Sequence, residues 1–334
     1  MSWRGLRSPS LHPEHFTVSG TMSHEILMLG PMGPIERALS PEFTVHKFWL
    51  ETDRGGFLRE VGPRIRGAVA FSGAIPADAG LIAALPNLAI ITNIGAGYDS
   101  VDVDAARARG IIVTNAGAVN AIDVAELAFG LLLDVARGIS MADRYVRAGR
   151  WQSDGRMKPT RRLNGRRLGI LGLGNIGHAL AVRAAAFDMP IAYHNRTPRH
   201  DAPYRYCGSV VELATESDIL VIATPGGEQT RHLVGRAELN ALGPQGILIN
   251  VARGSVVDQS ALIDALAEGR LGAAGLDVFE AEPHVPARLL ELPNVVVNPH
   301  GGGATYEAIG AAIDVVIENM KAYFSGGTVI NRVA

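Results

Sequence analysis

An arginine, a carboxylate and a histidine each follow a separate apolar run in the second half of the chain. Arg253 lies in Asn250-Val251-Ala252-Arg253-Gly254, Glu282 in Asp277-Val278-Phe279-Glu280-Ala281-Glu282-Pro283, and His300 in Asn298-Pro299-His300-Gly301-Gly302-Gly303. A guanidinium is planar and permanently charged, so it can contact a carboxylate and a neighbouring carbonyl oxygen together. Imidazole titrates near neutrality and is a natural proton donor and acceptor. A carboxylate bonded to that ring fixes its orientation and favours the charged form. Together the three side chains suit a 2-oxoacid whose carbonyl carbon takes a hydride while its oxygen takes a proton. Taken singly, each has a plainer reading: a surface arginine, a structural histidine, a loop glutamate. Glu280 also competes as the partner of His300, but Glu282 is preferred because it precedes Pro283 in a stiffened loop.

A hydride needs a donor, and Gly172-Leu173-Gly174-Asn175-Ile176-Gly177 is a place to hold one. The apolar run Leu168–Leu171 leads straight into it and a helical pattern, Ile176–Phe187, follows. In that setting Gly172 permits a tight turn, Gly174 lets backbone approach a pyrophosphate, and Gly177 lets the helix pack on the strand. The amides of Asn175 and Ile176 then face the phosphates at the positive end of the helix. The next strand ends at Asn195, about twenty residues on, where an NAD enzyme places an acid for the ribose hydroxyls. No acid stands there; the segment continues Arg196-Thr197-Pro198-Arg199. Cations and a hydroxyl suit a 2′-phosphate, so NADP(H) is expected over NAD(H), which remains a weaker alternative. A solvated arginine loop is the plain alternative in a chain with lysine only at 47, 158 and 321.

The elements that must position these groups alternate in type. Strand-like runs appear at Ile26–Leu29, Ala68–Phe71, Leu88–Thr92 and Ile111–Thr114. Helical stretches separate them, including Asp78–Leu85 and Val103–Arg109, the latter stopped by Gly110. A second series runs through Leu168–Leu171, Ile191–His194, Ile219–Ala223, Ile247–Val251, Ala273–Val278 and Val295–Asn298. Six runs with intervening helices match a complete dinucleotide-binding sheet. The expected fold is therefore α/β, with two Rossmann- or flavodoxin-like domains built on parallel sheets. A long helix should start near Asn120, with Asn120 and Asp123 at capping-box spacing, and continue through Ile139. The last helix, about Thr305–Phe324, should return to the first domain. The expected layout is a substrate domain over 23–119 plus 302–334 and a nucleotide-binding domain over 120–301. Residues 1–22 read as a disordered extension, with a start at Met22 or a transit peptide as alternatives.

Composition narrows the function classes. The chain has 334 residues, 47% hydrophobic and 19% charged, and a net charge of −2. That describes a globular protein of two domains, with no basic field for nucleic acid or an anionic membrane. No apolar run reaches the roughly 18–20 residues needed to cross a bilayer. The single cysteine, Cys207, excludes an internal disulfide and fits a reducing, cytoplasmic compartment. Metal chemistry lacks an HxxxH pair or a Cys/His cluster, and a serine hydrolase would need a G-x-S-x-G elbow.

Four ordered motifs carry a resemblance. They are Leu171–Gly177, Asn250–Gly254, Gly275–Pro283 and Pro299-His300-Gly301-Gly302. On them the chain resembles the D-isomer-specific 2-hydroxyacid dehydrogenases over nearly all of residues 23–334, nearest to the NADPH-dependent glyoxylate/hydroxypyruvate and hydroxyphenylpyruvate reductases. The resemblance implies that Arg253 orients and polarises the substrate, and that Glu282 supports His300 as acid in reduction and base in oxidation. It implies that Asp277 holds the nicotinamide carboxamide, that Val251 and Ala252 line its ring, and that Thr224-Pro225 passes beside the adenosine. Leu173 and Gly302 join the cofactor-binding positions. The loop Asn93-Ile94-Gly95-Ala96-Gly97-Tyr98-Asp99 resembles the family's carboxylate cradle. A Gly-x-Gly turn after a strand makes an anion nest, or else a plain structural turn. The family also implies a homodimer built through the nucleotide domain, involving the helix at 120–139 and the arm near Trp151–Lys158. Two departures stand out: Asn120-Ala121-Ile122 replaces the usual Leu-Thr-Asp at a helix entry, and Asn195 replaces a hydroxyl at the first 2′-phosphate position. Substrates of first choice are glyoxylate and hydroxypyruvate, then an aryl pyruvate or a sugar-derived 2-oxoacid. Selectivity would rest on Phe71-Ser72-Gly73-Ala74-Ile75 and on the neighbouring subunit's arm near Trp151–Lys158. A non-catalytic, cofactor-sensing protein on the same fold is the alternative of another class.

Overall fold

The structure is a computed structural model, described for residues 23–71 and 73–334. The expected extension over 1–22 and Ser72 of the selectivity loop lie outside those residues. Among the described residues, twelve strands form two sheets. The first five are β1 (Glu25–Met28), β2 (Thr44–Lys47), β3 (Ile65–Ala70), β4 (Ile90–Asn93) and β5 (Ile112–Thr114). They pair in the order β2-β1-β3-β4-β5, every pair parallel. The rest are β6 (Leu168–Leu171), β7 (Ile191–His194), β8 (Arg205–Tyr206), β9 (Ile219–Ile222), β10 (Ile247–Asn250), β11 (Ala273–Leu276) and β12 (Val295–Val297). Their order is β12-β11-β10-β9-β6-β7-β8, again wholly parallel.

Parallel sheets are covered on both faces, which is why their strands read as unbroken apolar runs. Alternate residues of β6, β9 and β10 enter opposite cores. Leu168, Ile170, Ile219, Val221, Ile247 and Ile249 face one side, with the Ala121–Arg137 helix packed on it. Leu171, Leu220, Ile222 and Leu248 face the other. The first sheet is likewise covered twice. On one face the final helix, Tyr306–Phe324, lays Val316 and Met320 against Ile26, Met28, Val69 and Ile90. The chain therefore does return to its first sheet.

Three local differences from the sequence-based expectation have physical reasons. The edge strands β2 and β8 carry no continuous apolar run, and β8 is only Arg205–Tyr206, so periodicity did not mark them. The capping box at Asn120 does not form: Asn120 sits at the N-cap without a side-chain bond, and Asp123 instead accepts from Thr305 Oγ1. The long helix stops at Arg137 because Gly138 adopts a left-handed conformation, φ 62°, and a new helix starts at Ile139.

Candidate active site

Because every strand of the larger sheet runs the same way, all its C-terminal loops lie along one edge. Ligands of open α/β sheets bind there, at the point where strand order reverses. Here the reversal falls between β9 and β6, which are neighbours in the sheet but not in sequence. The turn after β6 sits at that point. Gly172 has φ 101°, and a side chain there would press within 2.7–2.8 Å of the Ala223–Thr224 backbone at the end of β9. At Gly177 a methyl group would collide with the Gly172 carbonyl oxygen, so only glycine brings the helix this close. Gly174 is the opposite case: a methyl there would meet nothing within 4 Å. That open space faces the start of the Asn175–Ala185 helix, whose first-turn amides no side chain caps. Room, free N–H groups and a helix N-terminus fit a pyrophosphate.

The loop after β7 holds that turn in shape. Asn195 Oδ1 accepts from the Leu173 N–H at 2.6 Å, and Arg199 Nη1 donates to the Leu173 carbonyl at 3.2 Å. Tyr193 and Arg199 bond one another through the tyrosine hydroxyl, and Tyr206 donates to the Asn195 carbonyl. Arg199 is also forked onto Asp201, whose carboxyl its hydrogen bonds pull down to about 2. Arg199 is thus committed to protein partners. Arg196 is exposed and, among the described residues, bonds the neutral Gln229 side chain alone, at 2.9 Å, with no carboxylate paired to it. With Asn195 oxygen engaged, what it turns outward is its amide donor. A donor amide, a guanidinium and the exposed Thr197 fit an anionic group at the ribose.

At the other end of the edge, Arg253, Glu282 and His300 follow three adjacent strands, β10, β11 and β12. Asn250 shapes the first loop, accepting from the Ala252 N–H and donating to the Arg253 carbonyl. Val251 and Ala252 are buried behind it. Glu282 Oε2 meets His300 Nδ1 at 2.7 Å, while Oε1 accepts from the Phe279 N–H at 3.0 Å, so both carboxylate oxygens are placed. The rival Glu280 is taken by another ring: His232 Nε2 lies 2.6 Å from its Oε1. Asp277 is buried and organises the histidine loop. Its carboxylate accepts from Asn298 Nδ2 at 2.6 Å, the Gly301 N–H at 2.7 Å and the Gly302 N–H at 2.9 Å. That internal task was not foreseen from sequence. His300 itself is held at φ 52°, unusual for a residue with a side chain.

The loop after β4 in the smaller sheet completes the site. Asn93 Nδ2 donates to the carbonyls of Gly95 and Gly97, each at 2.9 Å, and Asn115 Nδ2 donates to that of Ala96 at 2.7 Å. The carbonyls are thus engaged, while among the described residues no protein group accepts from the amides of Gly95, Ala96 and Gly97, which suits them to an anion. Arg253 reaches this loop from the other sheet. Its Nε donates to Asp99 Oδ2 at 2.7 Å, and a methyl at Gly97 would collide with its Nη2. Asn93, Asn115, Asp99 and Asn298 are contributors that sequence reasoning left without a role; an amide or acid next to a Gly-rich turn was the only available signal.

A dinucleotide turn at the switch point of one parallel sheet, with a guanidinium and a carboxylate–imidazole pair on the same edge, defines a nicotinamide-dependent oxidoreductase. The profile of "D-isomer specific 2-hydroxyacid dehydrogenase, NAD binding domain" matches residues 129–302, and the chain belongs to the D-isomer-specific 2-hydroxyacid dehydrogenase family. It is 46% identical to glyoxylate/hydroxypyruvate reductase A of Arabidopsis thaliana, over 92% of this chain and 98% of that protein. It is also 46% identical, with the same coverage, to hydroxyphenylpyruvate reductase of Plectranthus scutellarioides. Among solved structures it resembles the NADPH-dependent glyoxylate/hydroxypyruvate reductase of Sinorhizobium meliloti in complex with NADP and malonate. The two share 39% identity and a TM-score of 0.86, covering 93% of this chain and 96% of that one. The cofactor class is accordingly NAD(P)(H).

Proposed function

We propose that this protein reduces a small 2-oxoacid, glyoxylate or hydroxypyruvate first, to the D-2-hydroxy acid, with NADPH preferred over NADH. The observation that carries this reading is the meeting of the Arg253 guanidinium with the Gly95–Gly97 nest, on the same sheet edge as the His300–Glu282 pair. The nest amides would hold the substrate carboxylate, and Arg253 would reach both that carboxylate and the carbonyl oxygen. With Nδ1 bonded to Glu282, His300 has Nε2 available to give a proton to the substrate oxygen. Glu282 stabilises the charged ring before transfer. The Gly172–Gly177 turn, Thr224, Val251, Ala252, Asp277 and Gly302 would hold the cofactor, with Asn195, Arg196 and Thr197 around a 2′-phosphate. When bound, the reduced nicotinamide supplies the hydride.

The matching domain reading is 23–119 plus 302–334 for substrate and 120–301 for nucleotide. The protein is read as a cytoplasmic homodimer; among the described residues, no helix is long and apolar enough to cross a membrane. Aryl-pyruvate reduction is the second reading, because the hydroxyphenylpyruvate reductase is equally similar at 46%. A panel of glyoxylate, hydroxypyruvate and phenylpyruvate, followed by loss of NADPH absorbance, separates the two. Cofactor binding without turnover of any of them would instead favour the non-catalytic, cofactor-sensing alternative.

A further inference from the structure

Arg253 has two of its three nitrogens engaged by the protein. Nε donates to Asp99 Oδ2 at 2.7 Å and Nη1 turns back onto the Ala252 carbonyl at 2.7 Å. Nη2 is pressed against Gly97, in the carboxylate nest. The stem is confined as well: a methyl at Gly226 would stand 2.7 Å from Arg253 Cγ and 3.1 Å from Asp99 Oδ1. The arginine thus lies in a slot between Gly97 and Gly226, and the Asp99 carboxylate fixes its rotation about the last torsions. Asp99 belongs to the smaller sheet's loop and Arg253 to the larger sheet, so this ion pair bridges the two.

We propose that Asp99 is a positioning and specificity-determining residue: it aims Arg253 at the substrate and, by its own charge, biases the site toward 2-oxoacids with a single carboxylate. This rests on the 2-oxoacid reading above. The amides contribute partial positive charge and Arg253 one full charge, while Asp99 cancels most of the latter. What remains matches one carboxylate. A second carboxylate held beside the first would find Arg253 already shared with Asp99 and would face the Asp99 charge. In a partly screened cleft, that repulsion amounts to roughly a three- to tenfold penalty.

Two variants separate aim from charge. Asp99→Asn keeps an oxygen for Arg253 Nε but removes the charge; Asp99→Ala removes both. With saturating NADPH, kcat for glyoxylate should stay within about threefold of wild type in the Asn variant and fall tenfold or more in the Ala variant. The kcat/KM ratio of oxaloacetate to glyoxylate should rise about three- to tenfold in both. A merely structural Asp99 would lower kcat alike in both and leave the ratio unchanged, which overturns the proposal. An unchanged kcat in Asp99→Ala overturns the aiming half. If wild type reduces no 2-oxoacid, the underlying functional reading fails, yet the charge claim is still decided by binding. Calorimetry with oxalate, a dianion, and oxamate, its monoanionic isostere, should then show relative oxalate affinity rising in both variants. Equal ratios in all three proteins refute it.

Discussion

At the scale of single residues, the His300–Glu282 pair and Arg196 make the sharpest commitments. His300→Gln keeps a polar side chain but loses the transferable proton, so kcat should fall about 10²–10⁴-fold, with the dissociation constant for NADPH unchanged. Glu282→Gln keeps a hydrogen-bonding oxygen toward the Phe279 N–H but withdraws the charge facing His300, and a smaller loss of about tenfold to a hundredfold is expected. Steady-state rates together with fluorescence titration of NADPH check both. Arg196→Ala should raise the KM for NADPH by about ten- to a hundredfold and that for NADH by less than about twofold, because only the former carries the group this cation would face. Equal losses would remove the 2′-phosphate role. These residues were legible because chemistry restricts which side chains can follow a strand end. The Asp99–Arg253 ion pair was not, because it exists only once two distant loops, 154 residues apart in sequence, are brought together. The preference for Glu282 over Glu280 agrees with the geometry, but its decisive reason, the capture of Glu280 by His232, was invisible from spacing.

At the scale of elements, the strands of the larger sheet were the most legible part of the chain. β6 and β7 begin and end where the apolar runs do, and β9–β12 differ only at their final residues. Continuous burial on both faces leaves an unmixed signal. Where burial is partial, as at β2 and β8, the signal disappears. One clamp holds the middle of this sheet at the edge opposite the site. Asp218 accepts from the Arg167 N–H at 2.9 Å and from its guanidinium Nη2 at 2.9 Å, while the Arg167 carbonyl accepts from Asp218 and Ile219. Hydrogen bonds from Arg167 hold the Asp218 carboxyl below its ordinary value of 3.8. A depressed folded-state value means the carboxylate stabilises the fold in full above its ordinary value and loses this effect as pH falls from there through the depressed one. Asp218→Asn should therefore lower stability by about 1 kcal/mol near neutrality. In denaturant titrations the gap from wild type should close below pH 3.8. A gap that persists in acid would mean that packing, not the charge, is responsible.

At the scale of the whole molecule, the chain leaves the first sheet after β5, builds the second, and returns through the Tyr306–Phe324 helix. Two crossings joined by the Asp123–Thr305 bond tie the sheets together. The predicted order of strands and helices was sufficient to anticipate this, because parallel strands need crossovers and the terminal helix had no partner in the larger sheet. Away from the site, Ile139, Val146 and Trp151 lie on successive short helices with 56%, 53% and 58% of their surface exposed. If a second copy covers them, light scattering should give a dimer mass, and Trp151→Glu should shift it toward the monomer; a monomeric wild type would end the dimer reading. The bridge from Arg253 to the smaller sheet has a practical consequence. On the proposed reading, His300, the cofactor turn and Arg253 all belong to one scaffold, whereas the loop that would grip the acid group comes from the other. Appetite and reactivity would then be written on separate layers, and loops grafted onto the smaller layer from a relative should change what the enzyme accepts and spare turnover only where Asp99 is kept to hold Arg253.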